Sequence, residues 1–495
     1  MPQRWTRLFI GASSLRARWS AGAAWLLVLA GVAAQAAPVD PLEITMRRSL
    51  KALDIPEDSV SLVVRELSAE RTLVSLNADV PRNPASVMKI VTSFAALDQL
   101  GAGYRWRNEA FIDKKPDDVG RVRDVYLRGQ GNPFWVADDF LSFVRALYTR
   151  GVRDIQGDLV LDRSYYDLEQ GDPAAFDGKP LRVYNVLPDP LTMNFSSLSL
   201  LLVPNVAAHR LDIQVDPPVT TLGVDNRVVL KRASCKRQNM RLRMSVEQDD
   251  NGYARAQVRG EFPNGCREFE LVRVLLDADD QVVGAFDARW NELGGTWSGG
   301  SREDTVPEDA IPLYEQRSPP LAEILRGVNK FSNNVMARQI FLTLGAEVAG
   351  APATLEKSRQ ALQTTFEGLD IPVEGLFVDN GSGLSRDARI SATTLIELLG
   401  AAWRHRAGPD FYSSLPVPGV DGTLRTRFDK GKFVGQAHVK TGTLDHVTAL
   451  AGIVHAYDGR RYLVAFVLNH RNAHQGKGLS LQKKLLRVLV ERKPG

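Results

Sequence analysis

Strand-forming runs gather at the two ends of this chain, and a single sheet needs both ends. Near the start, Val60 to Leu67 and Arg71 to Leu76 flank Ser68-Ala69-Glu70 and read as a hairpin. Near the end, Val434 to Thr441, Thr448 to Tyr457 and Arg461 to Asn469 read as three antiparallel strands, the last two joined at the turn signal Asp458-Gly459. Helical patterns stand beside them. Pro41 to Leu53 carries Leu42, Met46, Leu50 and Leu53 on one stripe, Met88 to Leu100 follows the hairpin, and Leu479 to Glu491 closes the chain. The expectation is an α/β (α+β) domain: one antiparallel sheet made by both ends, flanked by helices.

Between the ends lies a long, strand-rich middle. The runs Val122–Arg128, Gly157–Leu161, Ser197–Val203, Arg210–Val215, Arg227–Leu230, Leu242–Glu247, Ala254–Arg259 and Phe269–Leu275 are separated by turn residues. Helical patterns resume at Pro320–Val328, Val335–Leu344 and Leu355–Phe366. The chain therefore divides into a first part of the main domain at 37–107, inserted β-rich domains at 108–300, and a second part at 301–495. A nested domain at about 205–285 holds the only two cysteines, Cys235 and Cys266. In an oxidising compartment one bridge between them is the natural pairing, worth about 2–4 kcal/mol; the alternative is two unpaired thiols.

Residues 1–36 have the form of a secretory signal peptide. Arg4, Arg7, Arg16 and Arg18 are basic, Ala21 to Ala34 is apolar, and Ala34-Gln35-Ala36 is a small-x-small cleavage site before Ala37. The alternative is an uncleaved membrane anchor, for which the apolar run is short. No cysteine is present for a lipid anchor. The protein is thus expected to be exported and periplasmic. The four leader arginines account for the formal net charge of +4, so the mature chain is near neutral and offers no electrostatic case for nucleic acid. The run Lys231, Arg232, Lys236, Arg237, Arg241 and Arg243 reads as a solvated face with alternating apolar residues.

Three short motifs carry chemistry. In Asn83-Pro84-Ala85-Ser86-Val87-Met88-Lys89, Ser86 stands at a helix N-terminus, where free N–H groups favour negative charge. Lys89 lies one turn on, on the same face, and once desolvated can act as its base. Phe331-Ser332-Asn333-Asn334 supplies a Ser-x-Asn, which by itself a helix cap explains equally well. Lys440-Thr441-Gly442-Thr443 ends a strand; with 16 lysines in the chain, Lys-Thr-Gly arises by chance roughly 0.06 times per chain. Together these parts imply acyl-enzyme formation and hydrolysis. Ser86 attacks a carbonyl, Lys89 takes its proton, Ser332 relays a proton to the leaving nitrogen, and Asn334 holds Lys89 and a substrate amide. Lys440 adds positive charge, Thr441 and Thr443 offer hydroxyls to a terminal carboxylate, and Gly442 lets an extended peptide approach. The oxyanion belongs between the N–H groups of Ser86 and Thr443.

With these motifs in this order the chain resembles the penicillin-binding protein and serine β-lactamase superfamily, with its transpeptidase-like fold. More narrowly it is similar to low-molecular-mass class C penicillin-binding proteins, the D-alanyl-D-alanine carboxypeptidase/endopeptidases. Ser86 and Ser332 are 246 residues apart, a gap that in the family holds two nested domains. Asp379-Asn380-Gly381-Ser382-Gly383-Leu384-Ser385-Arg386 looks like the family's Asp-Gly-Ser-Gly-Leu-Ser segment with Asn380 added, and Pro418-Gly419-Val420-Asp421-Gly422-Thr423-Leu424 precedes the third motif as in the family. The resemblance implies Ser86, Lys89, Ser332, Asn334 and Lys440 as catalytic residues, Thr441, Gly442 and Thr443 as substrate-binding residues, and no cofactor or metal. It implies peptidoglycan peptides as substrate and β-lactams as inhibitors. An acidic residue of the insert would meet the free amine of diaminopimelate: Asp177 in Phe176-Asp177-Gly178-Lys179-Pro180, or alternatively Asp189.

Two rivals use the same scaffold. A serine β-lactamase would release the acyl group fast, but class C β-lactamases have Tyr where this chain has Ser332 and lack the insertion. A non-catalytic wall-binding or assembly protein would not need Ser86, Lys89 and Asn334 intact. His470 and His474 lie in a glycine-containing loop without an acidic partner and read as surface residues rather than a metal pair. The terminal helix has Leu481, Leu485, Val488 and Leu489 on one face and Lys483, Lys484 and Arg487 on another; it packs on the protein's own sheet or makes a peripheral membrane contact. Nothing in the sequence fixes an oligomeric state.

Overall fold

The computed structural model describes residues 39–249 and 253–493. The leader segment 1–36 lies outside the described residues.

The two ends do form one sheet. Its order is Ala437–Leu444, Val447–His455, Arg461–Asn469, Val60–Glu66, Arg71–Leu76, antiparallel throughout. Val60 lies opposite Leu468 and Glu66 opposite Tyr462, so the N-terminal hairpin completes the C-terminal meander. The two-residue side-chain period splits these strands between two cores. Val63, Ala451, Ala465 and Val467 face a group of helices: Met88–Gln99, Leu321–Lys330, Asn334–Ala349, Leu355–Gly368, Ala392–Arg404 and Gly408–Ser414. Leu62, Val64, Val464 and Phe466 face the helices Pro41–Ala52 and Gly478–Val490.

On that second face the terminal helix packs on the protein's own sheet. Leu481, Leu485, Leu486 and Leu489 are fully buried against the sheet and the first helix, which leaves only the Lys483, Lys484 and Arg487 side toward solvent. Among the described residues no helix is long and apolar enough to cross a membrane.

The insert is β-rich and carries helices besides. A five-stranded sheet, ordered Ser301–Glu303, Leu159–Asp162, Val125–Gly129, Arg107–Ile112, Ile311–Arg317, carries two helices, Ala137–Thr149 and Ala278–Glu292. Phe140, Phe143, Val144 and Leu147 repeat at helical spacing and pack with Phe286 and Trp290. That pattern was readable in the sequence. The boundary at residue 300 also moves: Arg107 pairs with Arg317 and Ile112 with Ile311, so the insert's sheet runs through Arg317. Chain that leaves the main domain at one strand edge returns beside it.

Inside the insert, two three-stranded sheets enclose their own core. One is Phe269–Arg273, Leu198–Asn205, Arg210–Asp216; the other is Leu222–Ser234, Ala254–Gly265, Arg241–Gln248. This nested unit begins at Leu198 rather than about 205, and its strands end at Arg273, because the helix 278–292 belongs to the outer insert. A disulfide joins Cys235 to Cys266, each just beyond a strand of the second sheet.

Candidate active site

Asn83 prepares the turn before Ser86. Its side chain accepts from the Ala85 N–H at 2.9 Å and donates to the Ser385 carbonyl at 2.8 Å, and Ala85 is held at φ 46°. The chain then enters a short turn, Ala85–Val87, and the helix Met88–Gln99, whose residues through Leu97 are all buried. Lys89, the second residue of that helix, therefore has no solvent around it.

Lys89 Nζ lies 3.1 Å from Ser86 Oγ, 2.6 Å from Asn334 Oδ1 and 2.5 Å from the Ser382 carbonyl oxygen. Burial, reinforced by the positive charges of Lys440 and Arg338, pushes the Lys89 ammonium well below its usual range. Its three neighbours can all accept, which holds one orientation of the amine toward the hydroxyl.

Ser332 and Asn334 come from the junction of two helices, Leu321–Lys330 and Asn334–Ala349. Ser332 has φ 58°, and Asn333 caps the second helix by accepting from Met336 N–H at 3.1 Å. That strained step turns Ser332 Oγ toward Lys440 Nζ, 2.9 Å away. Asn334 faces the other way; its Nδ2 donates to the Tyr184 carbonyl of the insert at 3.1 Å.

Lys440 is fully buried on the strand Ala437–Leu444 and also donates to the Thr441 carbonyl at 2.8 Å. Burial, and secondarily the charge of Arg427, lowers its ammonium to about 7. Thr441 is buried and Thr443 exposed at the rim. Gly442 is the close approach: a Cβ there would fall 2.3 Å from the Pro84 carbonyl oxygen and 3.0 Å from Ser86 N. The third motif thus abuts the Ser86 turn with no side chain between.

Several contributors escaped the sequence. The Ser382 carbonyl reaches Lys89, and Asn380, the residue added to its segment, accepts from Ser382 N–H at 3.1 Å and Ser382 O–H at 2.7 Å. Arg338, one turn beyond Asn334, donates to the Val186 carbonyl and tunes Lys89; that helical spacing was the available signal. Asp421 pairs with Lys330 Nζ at 2.5 Å, which ties the Pro418–Leu424 segment to the helix before Ser332.

The two carboxylate candidates separate. Asp177 is partly exposed and accepts from Tyr184 O–H and Asn185 Nδ2, each at 2.8 Å. Burial raises its carboxyl, but those bonds outweigh that and hold it below the usual range. Since Tyr184 also touches Asn334 through its carbonyl, Asp177 is one residue removed from the site. Asp189 is 4% exposed and paired with Arg163, so it is spent inside the insert and cannot meet a substrate amine. His474 Nδ1 accepts from the His446 N–H at 2.9 Å. Among the described residues no group of three or more His, Cys, Asp or Glu is placed to hold a metal.

A model of the D-Ala-D-Ala carboxypeptidase 3 (S13) family matches residues 43–488. The chain belongs to that family. A D-alanyl-D-alanine carboxypeptidase of Actinomadura sp. (strain R39) is 28% identical over 453 residues, 88% of this chain and 82% of that protein. Penicillin binding protein 4 (dacB) of Haemophilus influenzae has been solved alone and complexed with a β-lactam. The two structures give TM-scores of 0.74 and 0.72 at 20% identity, over 90% of this chain and 99% of theirs. A predatory endopeptidase of Bdellovibrio bacteriovorus gives a TM-score of 0.52 at 16% identity, over 87% of this chain and 93% of that one. The S13 chain is accordingly a carboxypeptidase, a hydrolase acting at D-Ala-D-Ala.

Proposed function

We propose that this S13 chain is a serine D-Ala-D-Ala carboxypeptidase and D,D-endopeptidase that works on peptidoglycan stem peptides through an acyl-enzyme on Ser86. The observation that carries this is a fully buried amine, Lys89 Nζ, 3.1 Å from Ser86 Oγ and displaced toward its neutral form. A neutral amine at that distance accepts the hydroxyl proton as Ser86 Oγ bonds to the penultimate D-alanine carbonyl carbon. The oxyanion that forms is held by the N–H groups of Ser86 and Thr443. As the C–N bond breaks, Ser332, hydrogen-bonded to Lys440, delivers a proton to the departing amine. Lys440 restores the proton of Ser332; water then attacks the ester and returns its proton to Lys440 by way of Ser332, while Lys89 gives the proton it took back to the departing Ser86 oxygen.

Lys440, Thr441 and Thr443 take the terminal carboxylate of a pentapeptide stem. In the endopeptidase reaction they take the carboxylate beside the cross-link. Asn334 holds the substrate amide, and Asp177 receives the free amine of diaminopimelate. A β-lactam presents a carboxylate and a strained amide in the same arrangement and acylates Ser86. The protein acts after export, in the periplasm, on the wall. The Haemophilus relative bound to a β-lactam and the Bdellovibrio endopeptidase support both halves of this proposal.

The test is a time course of fluorescent penicillin on the purified mature protein with Ser86→Ala alongside. Label that persists for many minutes and is absent from Ser86→Ala is the expected result, followed by release of D-alanine and cleaved cross-links from muropeptides. Rapid turnover with hydrolysed penicillin in solution would make the protein a β-lactamase. Neither label nor hydrolysis would make it a binding scaffold.

A further inference from the structure

One sheet face of the nested domain is bare and carries arginine in an unusual place. In the sheet Leu222–Ser234, Ala254–Gly265, Arg241–Gln248, the residues Arg227, Arg259 and Arg243 stand directly opposite one another across all three strands. All three are exposed, while their strand neighbours Val228, Val258 and Met244 turn to the domain's core. Like charges directly opposed destabilise a sheet. Only partial relief comes from within: Arg227 pairs with Asp225 at 2.8 Å and Arg259 donates to Gln257. Arg243 meets no carboxylate among the described residues.

The rows on either side define what would fit. One side presents Asp225, Gln257 and Ser245, then Arg255 and Glu247; the other presents Val229, Glu261 and Arg241. Strand spacing places the three guanidiniums in a row roughly 10 Å long. Each is a fork that matches a carboxylate. A uniformly anionic surface would be repelled by the interspersed Asp225, Glu247 and Glu261. A polymer of peptides bearing carboxylates, amides and occasional amines matches the mixture.

We infer that this face is an exosite for the wall polymer, holding carboxylates of peptide stems away from the stem being cut. It rests on the proposed peptidoglycan substrate. The Arg227–Arg259–Arg243 row holds the mesh, and the site around Ser86 acts on whichever stem it reaches.

The test is pelleting of the full mature chain, in Ser86→Ala form so that nothing is digested, with insoluble peptidoglycan. Replacing the row by Arg227→Ser, Arg243→Ser and Arg259→Ser should lower the bound fraction about tenfold or more. Salt at ~0.5 M, or prior amidation of the polymer's carboxyls, should do the same to the parent. With Ser86 intact, the triple variant should hydrolyse a soluble D-Ala-D-Ala peptide as the parent does while digesting insoluble wall more slowly. Should the triple variant fold poorly, Arg243→Glu on the edge strand reads the same ratio. Equal pelleting of parent and variants overturns the inference. So does arginine-dependent pelleting on phosphatidylglycerol vesicles without pelleting on peptidoglycan. A parent that pellets but leaves the soluble peptide intact would sink the proposed reaction, not the exosite; one that cleaves it but does not pellet would sink the exosite alone.

Discussion

The amine of Lys89 lies 2.5 Å from the backbone carbonyl of Ser382, a residue 293 positions away in the chain. This contact puts Lys89, the proposed base, under the control of a loop. Thr92 Oγ1 donates to the neighbouring Gly381 carbonyl at 2.7 Å, and Gly383, at φ 76°, passes so near Ala85 that a Cβ would fall 2.0 Å from the Ala85 carbonyl oxygen. The segment is thus clamped to both sides of Ser86, at Ala85 and at Thr92.

Asn380 braces that loop, so Asn380→Ala should loosen the Lys89 acceptor without touching substrate. Loss of its two bonds to Ser382 costs about 1–2 kcal/mol in positioning, which is about a tenfold fall in acylation. KM for a soluble peptide should hold while kcat drops, as steady-state kinetics would measure. An unchanged kcat would remove Ser382 from the account.

Lys440 should set the alkaline limb of kcat/KM. Its ammonium is lowered to about 7, so in the free enzyme the charge proposed to recognise carboxylate is present below that pH and lost above it. Lys89 must be neutral, and its pKa is displaced downward, so the profile rises from acid before it falls. A bound carboxylate favours the charged Lys440, which moves the limb in kcat to higher pH than in kcat/KM. The two pH profiles check this.

The same burial makes Lys440 a stability cost. Unfolded lysine binds its proton up to about 10.4 whereas the folded group releases it at about 7. The unfolded state therefore holds more protons across that window, and this residue's contribution to stability rises with pH through it. Lys440→Met should raise the free energy of unfolding at pH 7 by about 1–3 kcal/mol while abolishing turnover, as denaturant titration and peptide assay would register.

Gly442→Ala should separate packing from chemistry. Its Cβ would meet the Pro84 backbone, which cannot swing aside, so the third-motif strand must move from Ser86. Overpacking of this kind costs about 1–3 kcal/mol. Penicillin acylation should fall by at least about a hundredfold, because the displaced strand carries Thr443 of the oxyanion pair. Labelling rates would show it.

Breaking the Cys235–Cys266 bond should be felt in the nested domain alone. It closes a 31-residue separation, for which about 2–4 kcal/mol is expected. Cys235→Ser with Cys266→Ser should lower the first calorimetric transition and leave hydrolysis of a soluble peptide intact, since the site's contacts to the insert run through Tyr184 and Val186.

The three motifs were legible because each is short, and its side chains act within a turn or two of one another. The main sheet was legible because Val60–Glu66, Val447–His455 and Arg461–Asn469 are rich in apolar and β-branched residues and lie at both ends of the chain. Helices 137–149 and 278–292 were missed amid many strands, although Phe140, Phe143, Val144 and Leu147 carried the helical period. The boundary at 300 moved because the partners of Ser301–Glu303 and Ile311–Arg317, namely Leu159–Leu161 and Arg107–Ile112, are far away in sequence.

From its residue order alone this chain placed a Ser-x-x-Lys, a Ser-x-Asn and a Lys-Thr-Gly, because each is a set of side-chain types at local spacing. It could not specify the Ser382 carbonyl beside Lys89, the Tyr184 carbonyl on Asn334 or the arginine row. Backbone oxygens have no residue signature, and strand register is set by pairing across the sheet. Only the folded chain decided those, as it decided that Asp177 lies beside the site while Asp189 is spent on Arg163.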